Sequence, residues 1–69
     1  MKNLIVTMIG RKSVLLENYT SILEYDSEQI TIQGKREKVH IDGKRLCIAY
    51  YDEEEMMVEG YIKSIEYRE

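Results

Sequence analysis

Proline, tryptophan and phenylalanine are absent from this 69-residue chain, and cysteine and histidine occur once each. Cys47 alone cannot close an internal disulfide. With His40 it supplies too few strong ligands for a four-coordinate zinc site, and no cofactor is expected. With no proline and only four scattered glycines, nothing marks a linker, so residues 1–69 read as one domain. No apolar run approaches the roughly 20 residues that span a bilayer, and direct membrane insertion is not expected. The segment Met1–Gly10 briefly imitates a secretory signal. However, its six-residue apolar part is interrupted by Thr7 and no small-residue cleavage site follows, so a strand is expected there. A cytoplasmic location is expected, and a lone reduced thiol fits it.

Concentrated positive charge is also missing. Lysine and arginine number 10 against 13 acids, a formal net charge of −3. Phosphate-backbone binding depends on clustered cations. The densest basic stretch, Lys35-Arg36-Glu37-Lys38, has an acid inside it and reads as a solvated turn. Nucleic-acid binding through Lys35, Arg36, Lys38, Lys44 and Arg45 is therefore the least favoured function.

A domain this short buries only about 60% of the surface its unfolded chain exposes. Such a core rarely supplies more than roughly 3–5 kcal/mol. With disulfide and zinc excluded, association with copies or partners is the reinforcement left. A homo-oligomer is expected.

What the chain does have is apolar residues at period two, the pattern of half-buried strands. Ile30 and Ile32, Val39 and Ile41, Leu46 with Ile48 and Tyr50, Val14 with Leu16, and Leu4 with Val6 and Met8 all follow it. Asp42-Gly43 is a tight-hairpin signal, predicted to join Val39–Ile41 to Leu46–Tyr50. Gly10 and Gly34 read as connections.

A shift of 26 residues lays Tyr25–Gly34 on Tyr51–Gly60 without a gap, with Tyr, Asp, Glu and Gly recurring at the same places. Ile22 falls on Ile48, Val39 on Ile65, and Ile41 on Tyr67. The units, about residues 20–41 and 46–67, each read as strand, acidic turn, strand, glycine, strand. The repeat also decides an ambiguous tail. Asp52–Ile65 could form an amphipathic helix capped by Asp52 and Glu55. Its counterpart Gln29–Gln33 is plainly a strand, and Gly60 would cost a helix interior about 1 kcal/mol. The expected fold is all-β: a small single domain of seven or eight short strands in hairpin succession, forming a roll, sandwich or short solenoid. Its open edges would invite strand pairing between chains.

No catalytic constellation is present. His40 has no local partner marking a nucleophile, and Cys47, between Leu46 and Ile48, reads as a small buried thiol. The acidic turns Asp26/Glu28 and Asp52/Glu54 carry a second reading, a small-ligand or metal sensor, although they lack the ligand alternation of a calcium loop. Six tyrosines are the more unusual feature. Their rings suit interfaces, and some must serve the core of so small a domain. Tyr50 and Tyr51 are adjacent and face opposite ways in a strand. Tyr50, Tyr51 and Tyr61 are the candidate interaction residues.

Several segments together resemble the YabP/YqfC family of sporulation proteins. They are Glu17-Asn18, Ile22-Leu23-Glu24-Tyr25, Ile30-Thr31-Ile32, Val39-His40-Ile41-Asp42-Gly43, Leu46-Cys47-Ile48 and Val58–Tyr67. The resemblance runs from about residue 4 to 67 and departs at Gly34-Lys35-Arg36-Glu37, where a more extended passage with a later glycine is expected. It implies a non-enzymatic protein of endospore-forming Firmicutes, made in the mother cell, with no catalytic residues to carry over. The YqfC branch is similar to proteins found alongside a larger membrane partner. The function expected is therefore a small assembly or adaptor module working through β-edge and tyrosine-rich contacts.

Overall fold

The computed structural model describes residues 2–69, and within them the fold is all-β, with no helix among the described residues. Six strands form one antiparallel sheet: β1 (Ile5–Ile9), β2 (Ser13–Glu17), β3 (Ser21–Tyr25), β4 (Gln29–Gln33), β5 (Lys38–Tyr51) and β6 (Glu55–Arg68). Their spatial order is β1-β2-β6-β5-β4-β3, so the edges β1 and β3 do not close on each other. The turns at Gly10 and Gly34 fall between strands as expected. The tail from Asp52 onward is a turn followed by the strand β6, not a helix.

The strand count is six, not seven or eight, because Asp42-Gly43 is not a hairpin. β5 runs straight through it, paired with β6 on both sides. Gly43 does not take the positive φ that a tight hairpin turn requires. Its hydrogen instead lets two backbones approach: a Cβ there would lie 2.0 Å from the Tyr61 carbonyl oxygen. Gly60, opposite, has φ +136° and a Cβ position 2.5 Å from the Arg45 carbonyl oxygen. Register shifts flank this crossing at Asp42/Gly43 and Lys44/Cys47. An extra residue in one strand bends it and increases its twist. Here the two longest strands bend together.

That bend turns one sheet into two stacked layers. β2 pairs only with residues 55–59 of β6, and β4 only with residues 38–42 of β5. One layer is therefore β1, β2, the first half of β6 and the second half of β5. The other is β3, β4, the first half of β5 and the second half of β6. Val14 and Leu16 of β2 and Ile30 and Ile32 of β4 are all fully buried in one cluster, although their strands are not neighbours. With no helix to cover them, only the facing layer can do so. Val39, Ile41, Leu46, Met56, Val58 and Ile62 complete the interior, and Leu4 closes one end. At the bend the short turns cap the long strands. Gly60 and Ile62 amides donate to the Lys12 and Arg11 carbonyls at 3.0 Å each, and Gly43 and Leu46 amides to Glu28 and Ser27 at 3.0 and 2.8 Å.

The 26-residue shift carries one hairpin onto another. Ser21↔Gln33, Ile22↔Ile32, Glu24↔Thr31 and Tyr25↔Ile30 in β3–β4 become Cys47↔Glu59, Ile48↔Val58, Tyr50↔Met57 and Tyr51↔Met56 in β5–β6. Even the register shifts coincide, at Ile22/Glu24 and Ile48/Tyr50. The tips match too. Asp26 Oδ1 accepts from the Glu28 and Gln29 amides, and Asp52 Oδ1 from those of Glu54 and Glu55, all at 2.8 Å. The third limbs diverge: after Gly34 the chain turns back into β5, whereas at Gly60 β6 continues through the bend.

Candidate interaction surface

Residues paired directly across antiparallel strands point to the same side of the sheet, so the register defines the outer face of each layer. On the β3–β4 layer the central row is Glu24, Thr31, His40 and Glu66, flanked by Ser21, Gln33, Lys38 and Arg68 and by Gln29, Asp42 and Ser64. Every one is polar. Thr31 Oγ1 donates to Glu24 Oε1 at 2.8 Å and lies 2.7 Å from His40 Nδ1, while His40 Nε2 lies 3.2 Å from Asp42 Oδ1. No buried side-chain nitrogen or oxygen among the described residues is left without a hydrogen-bond partner.

On the β1–β2 layer the central row is Thr7, Leu15, Met57 and Tyr50. Ile5 and Ile9 flank it on β1, Cys47 on β5 and Tyr61 on β6, with Glu17, Glu55, Ser13 and Glu59 between them. Ile5, Ile9, Tyr50 and Tyr61 are each about half exposed, at 47, 53, 50 and 49%. No element among the described residues covers this face. The matched hairpins make the contrast sharp: Ser21, Glu24 and Thr31 on one outer face are replaced by Cys47, Tyr50 and Met57 on the other. The same backbone register carries polar side chains in one central row and apolar ones in the other, while Gln29 and Gln33 are matched by the equally polar Glu55 and Glu59. Contiguous exposed apolar surface on so small a domain marks an interaction site more often than an ordinary exterior.

The three candidate tyrosines separate. Tyr50 and Tyr61 share the apolar outer face, with Tyr61 beside Lys12, Ser13, Glu59 and Gly60 in a shallow cleft. Tyr51 pairs with the buried Met56 on the opposite side, but beyond the end of the core, and is exposed. The expectation that Tyr50 shares a face with Leu46 and Ile48 is overturned by the shift at Ile48/Tyr50, since one extra residue moves all that follows to the other side. Cys47 is exposed rather than buried, because alternation along β5 seats Leu46 and Ile48 inward and so turns the thiol out. Tyr19 is the tyrosine that packs against the core. Burial pushes its phenol above the ordinary range, with the Asp52 carboxylate and Tyr51 adding to the effect, and its hydroxyl donates to the Asp52 carbonyl. Tyr25 lies on the inner side and accepts the Ile48 amide from the other layer at 3.2 Å.

The acidic turns are structural. Asp26 and Asp52 each spend an oxygen on two backbone amides, which hold both carboxyls below the ordinary 3.8. No group of three metal-ligating side chains converges among the described residues. No described helix is long and apolar enough to cross a membrane.

Sequence reasoning missed Leu15, Met57, Ile5 and Ile9 as surface residues. The signal was present in the repeat, where polar positions of the first hairpin align with apolar ones of the second. It becomes readable only once register shows that both sets point outward.

No solved structure matches the chain. A protein of Bacillus subtilis (strain 168), uncharacterized protein YqfC, is 30% identical over 64 residues, spanning 93% of this chain and 69% of that protein. The YabP family profile matches residues 2–69, the whole described length. With register, core and outer faces accounted for along that same stretch, the chain belongs to the YabP family.

Proposed function

We propose that this protein is a non-enzymatic assembly module of the sporulating mother cell. It joins copies of itself through an open strand edge and offers the apolar outer face of the β1–β2 layer to a membrane-anchored partner protein. The observation that carries this reading is the contrast between the central rows of the two outer faces, one the hydrogen-bonded Glu24, Thr31 and His40 with Leu23 as the exposed apolar residue beside them, the other Leu15, Met57 and Tyr50. The resemblance to the YabP/YqfC family of sporulation proteins supports the setting proposed, an endospore-forming bacterium. Interface cores favour tyrosine and methionine and disfavour charge, and the central row of this face fits that composition.

Two measurements test it. Light scattering on the purified chain is expected to give a mass above that of the 8.2 kDa monomer at high concentration. In the sporulating bacterium, Leu15→Glu with Met57→Glu is expected to leave the protein folded and abundant but release it from the membrane fraction and block spore maturation. Normal spores from a stably folded double variant would contradict the proposed role of the face.

A further inference from the structure

Folding one sheet into two layers leaves four strand edges: β1 and the second half of β5 in one layer, and β3 and the second half of β6 in the other. Natural proteins blunt such edges with charge, bulges or capping contacts. Three of these are blunted. β3 carries Glu24 and a register shift at Ile22/Glu24. β6 carries Lys63, Glu66 and Arg68, and its Gly60 and Ile62 amides are taken by the β1–β2 turn. On β5, the Leu46 and Ile48 amides are taken by the Ser27 carbonyl and the Tyr25 hydroxyl. The fourth, β1, reads Ile-Val-Thr-Met-Ile, with no charge, proline or register shift, and Ile5, Thr7, Met8 and Ile9 are exposed.

We propose that β1 pairs antiparallel with β1 of a second copy, on a twofold axis through Thr7, making one continuous eight-stranded layer. The inference rests on reading the chain as an assembly module and names the edge, the occupant and the register. The segment is self-complementary about Thr7. That alignment sets Ile5 against Ile9, Val6 against Met8 and Thr7 against its own copy, all favourable cross-strand pairs. Paired residues have the same parity, so the register satisfies the free backbone groups whichever of the two sets points outward. An isologous contact of this kind closes as a dimer and leaves no repeating edge. It also extends the row Tyr50, Met57, Leu15, Thr7 across the axis into its mirror sequence, doubling the apolar face. Because a five-residue strand pair buries less than the roughly 1,200 Å² of a standard interface, the dimer is concentration-dependent.

Charge swapping at the axis tests it, with analytical ultracentrifugation as the readout and circular dichroism confirming the fold. Thr7→Lys and Thr7→Glu each place like charges directly opposite, so each is expected to weaken the dimer about tenfold or more, and an equimolar mixture to restore it. An independent measurement uses Thr7→Cys in a Cys47→Ser background, which should form a disulfide-linked dimer under mild oxidant, while Ser21→Cys on the β3 edge in the same background should not. Two monomeric variants whose mixture stays monomeric would overturn the register. Variants that dimerise like the natural chain would overturn the β1 edge while leaving assembly itself standing. A natural chain that is monomeric at every concentration would overturn both.

Discussion

Asp26 and Asp52 do the same work 26 residues apart. Each carboxylate follows the end of a strand and accepts from the amides two and three residues on, and those bonds favour the charged form. The causes are the Glu28 then Gln29 amides for Asp26, and the Glu55 then Glu54 amides for Asp52. A carboxyl depressed in the folded state contributes stability above its unfolded value, and that contribution is lost as pH falls through the folded value. The natural chain is therefore expected to lose urea midpoint between pH 5 and pH 2, within about that window, and Asp26→Ala with Asp52→Ala to lose less over the same range. Equal acid sensitivity in the two proteins would show that the turns contribute nothing. The turns were legible because aspartate at a strand end, two and three residues before free amides, has a local physical role. The exposed thiol of Cys47 was legible in the same way, since alternation with Leu46 and Ile48 inward turns it out; reading it as buried followed the residue type instead of the pattern. Ellman's reagent should modify Cys47 in the folded monomer at a rate approaching that of the unfolded chain; slow reaction there would place the thiol inside.

At the scale of elements, the bend in β5 and β6 decides the architecture, and glycine makes it affordable. Substituting Gly60 by valine adds a branched side chain at φ +136° with a neighbouring carbonyl oxygen 2.5 Å away. A loss of more than about 2 kcal/mol is expected, seen as a fall in Tm of roughly 10 °C or more. Gly43→Ala should do similar damage through the Tyr61 carbonyl. A melting temperature unchanged in both would mean that the strands do not cross as described. Alternation located β1, β2, β4 and both halves of β5, and the repeat supplied β3 and β6, yet Asp42-Gly43 pointed to a hairpin, because the same dipeptide serves a tight turn or a close strand crossing. Only the long-range partner, Tyr61, tells them apart. The polar layer offers a separate check. Thr31 is 8% exposed and bonds both Glu24 and His40. Thr31→Val is expected to cost about 1–2 kcal/mol, with Thr31→Ser close to the natural chain in chemical denaturation.

For the whole molecule, two layers share one interior and one backbone plan but present opposite exteriors. The period-two pattern and the repeat made the all-β fold and the interior residues readable. Which outer face would be apolar depended on register shifts at Ile22/Glu24 and Ile48/Tyr50, which move Glu24 and Tyr50 outward and have no compositional marker. A domain of this length gains little from its own core, so surface left uncovered on one side only is where further burial is to be gained. Sedimentation equilibrium of the purified chain, from micromolar to millimolar concentration, tests this most directly. The account predicts a weight-average mass that climbs from 8.2 kDa toward twice that value; a mass fixed at the monomer throughout the range would contradict it.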